Sequence, residues 1–252
     1  MPNSNMEQRL TQPAPSLVMT IIDVFASPID AFKSIKDSVP SRTLWLIPML
    51  CACIVYAGHT FILFTDNALK TELVNNQINV LHNKVEKGKL TQDEADKAES
   101  NMNSMSDLLI VFTIAGGLIT IPLFYFGCAS LLWLTNKLIL KSSIVYIKYL
   151  ELFGITSWIN ILGKIFSILL MRAYGTISAT PSAALIFLEN YDSTSILHRV
   201  LTSLNIFSIW QVLVIGIGLG KISGKSSLVG IIVAFVLWAI LMTFSLLLGF
   251  AQ

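Results

Sequence analysis

The sequence predicts an all-α, polytopic integral membrane protein: five transmembrane helices, an N-terminal interfacial amphipathic helix and an extramembrane helical hairpin. Three observations predict it. Of the 252 residues, 54% are hydrophobic and only 13% charged, where a soluble domain carries about a quarter charged. So few charges cannot cover a water-facing surface, and lipid is the implied solvent for much of the chain. The apolar residues also fall in continuous runs near the ~20 residues that a helix needs to cross a bilayer. Finally, these runs lack the apolar–polar alternation of barrel strands, so helices must satisfy the backbone within each span.

The first 16 residues are polar and rich in Pro, Asn and Gln. They read as a disordered tail ahead of a single membrane domain over 17–250. No secretory signal peptide is visible. Over 17–40, Ile21, Ile22, Phe25, Ile29, Phe32 and Ile35 form an apolar stripe, with Lys33 and Lys36 off it. Ser27 suits an N-cap, Pro28 the first helical position and Asp30 the first turn. Pro40 ends the segment. The pattern predicts a helix lying in the membrane surface, its lysines near anionic headgroups. Pro28, Phe32, Lys33, Lys36 and Trp45 are the candidate contacts to a partner or to the membrane surface. Plain anchoring of the first span explains the same pattern.

The spans are expected at 44–64, 108–134, 149–171, 204–219 and 228–250. Basic residues near span ends set orientation. Lys33, Lys36, Arg42, Lys137, Lys141, Lys148, Lys221 and Lys225 gather on one side, which is therefore cytoplasmic. The N-terminus is then inside and the C-terminus outside.

Between the first two spans, 66–107 reads as a polar helical hairpin. Leu69, Leu73, Ile78, Leu81 and Val85 give one helix its stripe, and Gly88 ends it. "TQDE" then places Thr91 and Glu94 as a capping box. Eight acids against five lysines make the hairpin net negative. It reads as a solvated connector, with partner docking as the alternative. In the second outer connection, the apolar run 183–188 is too short to span. Asp192 and Ser193 are expected to cap the helix that follows.

Chemistry is sparse. Cys51, Cys53 and Cys128 lie in apolar runs without the four convergent ligands of a zinc site. "GLGKISGKSS" at 218–227 has the Gly-Lys-Ser end of a phosphate loop, but Leu219 stands where its first glycine belongs. No H-E-x-x-H and no Ser/His/Asp set is present, and His59, His82 and His198 are isolated in sequence. Neither a catalytic residue nor a cofactor is assigned. The net charge of +2 gives no footprint for nucleic acid. Polar residues inside spans stand out instead: Asn160 and Lys164 in the third, Asn205 and Gln211 in the fourth. A charge at the bilayer centre costs about 2.5–3.5 kcal/mol, so Lys164 snorkels outward or belongs to a polar path. Gly216 and Gly220, four apart, are expected at a close helix packing.

Two stretches resemble a known family. "VFASPIDAFKSIKD…LWLIPML" is similar to the N-terminal signature of the Yip family, membrane proteins named for interacting with Rab-type GTPases. Pro28, Phe32, Lys33, Ile35, Lys36 and Trp45 carry the likeness. "LNIFSIWQVLVIGIGLGKISGKSS" resembles the family's fourth span, through Asn205, Phe207, Ile209, Trp210, Gly216, Gly218, Lys221 and Lys225. The likeness covers about residues 20–250, and the hairpin at 66–107 resembles bacterial forms. It implies a non-enzymatic membrane-organising or protein-interaction scaffold; the short tails are what point to a prokaryotic inner membrane. Its partners would be the lipid bilayer and other membrane proteins or a second copy; no small-molecule substrate is indicated. The alternative is a small transporter or channel component, with its polar path along the third and fourth spans.

Overall fold

A computed structural model describes residues 13–104, 106–192 and 195–248. Most of the expected N-terminal tail, residues 1–12, lies outside the described residues. Residues 13–16 carry no regular structure. The described residues form helices and no strand, and an isolated bridge joins Ser182 to Asn205. The helices are α1 (Leu17–Ala26), α2 (Pro28–Asp37), α3 (Thr43–Thr65), α4 (Asn67–Glu86), α5 (Gln92–Ser104), α6 (Ser106–Thr135), α7 (Tyr146–Tyr174), α8 (Ile196–Ser203), α9 (Ile206–Ile222) and α10 (Ser227–Leu248). A π-turn, Asn136–Leu140, continues α6 and closes on Lys141 in the left-handed region, at φ 54°. A 3-10 segment occupies Ala183–Asn190.

Four helices are long and apolar enough to cross a membrane: Thr43–Thr65, Leu108–Leu140, Tyr146–Tyr174 and Ser227–Leu246. The expected span at 204–219 falls on α9, an apolar helix of 17 residues. At 1.5 Å per residue α9 is about 26 Å long, against a hydrocarbon core of about 30 Å.

The chain divides into two compact units. One comprises the chain up to Cys53, with Thr120–Leu162 and Phe207–Phe244; the other comprises Ile54–Ile119, Gly163–Ile206 and the chain from Ser245. The first unit's core is built from Phe32, Ile35, Leu44, Tyr149, Leu152 and Leu219, all fully buried. This corrects the reading of 17–40 as a single surface helix. Ser27 breaks it into α1 and α2, at φ −146°, ψ 68°. Of the stripe expected to face lipid, Phe32 and Ile35 are buried inside the protein together with Val24 and Ala31, whereas Ile22 and Ile29 stay exposed. The same 3.6-residue periodicity serves either burial, and here protein takes the place of lipid. Ser27 does not cap a backbone N–H either. Its hydroxyl donates to Asp30 Oδ2 at 2.6 Å.

In the second unit Asp66 caps α4, accepting from the N–H groups of Ala68 (3.1 Å) and Leu69 (3.3 Å). Gly88, at φ +65°, follows the end of α4 in the left-handed conformation that favours glycine. Thr91 N–H donates to Glu94 Oε2 at 3.0 Å, and Glu94 N–H donates back to Thr91 Oγ1 at 3.3 Å. Two donors at the start of α5 are thereby paired reciprocally. Glu72 fixes α4 to the segment after α7, accepting from Thr176 Oγ1 (2.7 Å) and Ile177 N–H (2.8 Å). The residue at the N-cap of α8 is Ser195, not Asp192 or Ser193; Ser193 lies outside the described residues. His198, isolated in sequence, accepts from Asp192 N–H at 2.8 Å and stacks on Tyr191 and Phe187.

The capping box makes a prediction. The Thr91 backbone N–H and hydroxyl both donate to the Glu94 carboxylate and hold it below the ordinary glutamate range. A lowered folded-state value means that this contribution to α5 is complete above the free-glutamate range and is lost as pH falls through the folded value. Carbon-13 NMR of the Glu94 carboxyl should therefore give a midpoint below about 4.3. Thr91→Val should move it up towards that value, because the hydroxyl donor is gone.

Candidate functional site

The N-terminal helix pair is fastened to α7 by a buried ion pair. Lys148 and Glu151 lie one turn apart in "YIKYLELF", their side chains 2% and 0% exposed, with Nζ and Oε2 3.0 Å apart. Neither charge is left to its partner alone. Lys148 Nζ also donates to the Ile35 carbonyl at 2.7 Å and reaches Ser38 Oγ at 3.5 Å. Glu151 Oε1 accepts from the backbone N–H of Ser41. The Ile35 carbonyl is among the last four of α2, which have no partner within the helix. A cation at this end also complements the helix dipole. One pair thus closes the end of α2 and fixes the entry of α3.

The five expected contact residues separate around this clasp. Phe32 is not a surface contact. It is fully buried, and its ring would lie 2.9 Å from a Cβ placed on Gly218, so the glycine is what admits it. Trp45 is half-buried, stacked edge-on against Phe126 at 5.8 Å. Its backbone runs so close to Gly154 that a Cβ there would strike Trp45 Cα. Lys36 sits over the turn at Gly224. Pro28 is half-buried at the start of α2. Lys33 remains exposed and makes a surface pair with Asp30 at 3.4 Å, an interaction of small energetic weight. The Ser27 hydroxyl and then the Lys33 ammonium lower the Asp30 carboxyl below its usual range. The outward face of the pair carries Val18, Met19, Ile22 and Ile29, between 40% and 64% exposed.

Of the four polar residues expected within spans, Asn160 and Gln211 meet. Asn160 Nδ2 donates to Gln211 Oε1. Gln211 is buried, and its Nε2 has no partner. Both line a cavity of about 230 Å³ whose walls are otherwise largely apolar. Lys164 and Asn205 belong to the second unit. Lys164 is half-buried in α7, and Asn205 sits at the bridge with Ser182.

Gly216 and Gly220 lie where α9 and α10 approach most closely. A Cβ on Gly216 would lie 2.5 Å from Ile231 Cα, and one on Gly220 would lie 2.5 Å from the Ser226 carbonyl oxygen. Gly230 faces both from α10. The phosphate-loop-like stretch is the turn joining these helices: Lys225 N–H bonds to the Gly220 carbonyl at 2.8 Å, and Gly224 sits at φ +71°.

Sequence reasoning missed the clasp. Its signal was an opposite-charge pair, i and i+3, at the start of an apolar run. Among the described residues no three His, Cys, Asp or Glu side chains gather as a metal site would require. Among known proteins, the sequence profile of the Yip1 domain matches residues 22–249. No curated protein and no solved structure matches the chain.

The clasp predicts an asymmetric mutational pattern. Lys148→Met leaves Glu151 buried without its cation and should destabilise by about 3–5 kcal/mol. The double variant Lys148→Met/Glu151→Met should be markedly less costly, since it leaves no uncompensated charge. Denaturation of the purified protein in detergent reads both. A double variant as damaged as the sum of the two singles would contradict the pair.

Proposed function

We propose that this chain, which belongs to the Yip1 domain family, is a non-enzymatic integral membrane protein that organises other membrane proteins. One observation carries the reading: the N-terminal helix pair is a mounted platform rather than a loose anchor. Its inner face is sunk in the core and clasped by Lys148 and Glu151. Its outer face presents Val18, Met19, Ile22, Ile29 and Lys33. A surface held in one geometry spares a partner the ordering cost of binding. Anchoring a span needs no such fastening.

The proposal includes a five-span topology in which α9 crosses as the shortest span, at the lower limit of the usual range. It places the N-terminus in the cytoplasm and the C-terminus outside, because the flanking lysines and arginines collect on the N-terminal side. The membrane is a prokaryotic inner membrane. Transport along α7 and α9 is the second reading, favoured by the Asn160–Gln211 pair on its cavity.

The test is photocrosslinking in native membranes from a reactive side chain placed at Ile29 or at Lys33, with Phe32 as the buried control. Capture of a defined membrane protein from Ile29 or Lys33, and not from Phe32, is the expected result. Capture of lipid alone at both exposed positions would reduce the platform to an anchor and overturn the scaffold reading.

A further inference from the structure

The first unit holds one feature that a scaffold does not need. Asn160 lies 14 residues into the 29-residue α7, at the middle of the span. It is exposed there, on the wall of the 230 Å³ cavity. Behind it Gln211 is 5% exposed, with an amide nitrogen that pairs with nothing. Ser208 also lines the wall. A polar group left unpaired in hydrocarbon costs several kcal/mol, so an amide pair of this kind calls for a further partner.

The route in is through lipid. Phe124 and Leu131 of α6 and Leu241 of α10 line the cavity yet are 60%, 39% and 45% exposed, so its rim is apolar and faces outward. Its inner wall, with Leu132, Phe153 and Ala234, is buried. None of the lining residues is charged, so nothing there would compensate an ionised group. The volume exceeds the about 150 Å³ void that takes benzene, and by proportion accepts a segment of roughly nine carbons.

We propose that this cavity binds a neutral amphiphile drawn from the bilayer, an alkyl or prenyl body whose carbonyl or hydroxyl group pairs with the Asn160–Gln211 amides. The apolar segment fills the space between α6 and α10, and the polar group completes the amide network. The site is independent of the N-terminal platform, and either reading stands without the other.

The test uses the full chain in detergent with two probes of equal length, 2-decanone and decane. Affinity is read from the ligand-dependent rise of the thermal midpoint. In the wild type the ketone should bind about three- to tenfold more tightly than the alkane, the worth of one net hydrogen bond. Asn160→Leu/Gln211→Leu, which removes both amides, should remove that advantage and keep alkane binding. Leu241→Trp, a change at the exposed rim, should weaken both probes. No ketone preference in the wild type would overturn the proposal. So would a preference that survives both the double amide variant and Leu241→Trp, or an Asn160→Leu/Gln211→Leu change that alters only oligomeric mass and so gives the amides to a second copy. Lipid extracted with the wild type and depleted in Leu241→Trp identifies the source: an acyl ester or alcohol of the bulk lipid, or a prenyl carbonyl compound. Absence of any such enrichment counts against the site.

Discussion

The first unit depends on a pair of charges withdrawn from water at the start of α7. Taking an ammonium and a carboxylate out of water costs several kcal/mol for each ion. Lys148 and Glu151 offset that cost by binding each other and by binding backbone at the junction: the Ile35 carbonyl at the end of α2, which the Ser38 hydroxyl also reaches, and the Ser41 N–H ahead of α3. The connection between α2 and α3 is therefore set by α7, a helix more than a hundred residues further along. Burial of Phe32 and Ile35 follows from that placement, as does the glycine at 218 that leaves room for the Phe32 ring.

Close approach elsewhere in the unit comes from removing side chains rather than pairing them. Gly154 lets the Trp45 backbone lie directly on α7, and Gly216, Gly220 and Gly230 bring α9 and α10 into backbone contact. In lipid, apolar area alone gives helices little reason to associate, because the tails are as apolar as leucine. Small residues that admit dense packing, and a few polar links, take over that role. The first unit uses both devices, and they converge on α9.

How much of this could be read from sequence varied with the range of each interaction. Local signals were legible. The 91–94 capping box, the left-handed glycine at 88 and four of the long apolar runs are written within a few residues of one another. The fate of the 17–40 stripe was not. An apolar face at Phe32 and Ile35 looks the same whether lipid or protein will cover it, and the partner that decides, Lys148 with Glu151, lies far along the chain. Asn160 and Gln211 could be seen as amides in apolar runs, but their meeting across 51 positions could not. The break at Ser27 was masked for a related reason: the serine suits a helix start whether or not a helix has just ended before it.

The two polar pairs of the first unit differ in one physical respect, and that respect separates structure from function. The Lys148–Glu151 pair has its additional donors and acceptors in place: a helix-end carbonyl, a serine hydroxyl and a backbone N–H. It sits away from any cavity described here and holds backbone in position. The Asn160–Gln211 pair is incomplete. One amide is exposed at mid-span and the other has an unpartnered nitrogen, and both stand on a void that opens through apolar side chains. Low dielectric makes a satisfied polar network rigid and an unsatisfied one costly. A chain that needed Asn160 and Gln211 only for packing would be served better by leucine at both. A polar group from the bilayer that completes them gives the two amides a role that packing alone does not.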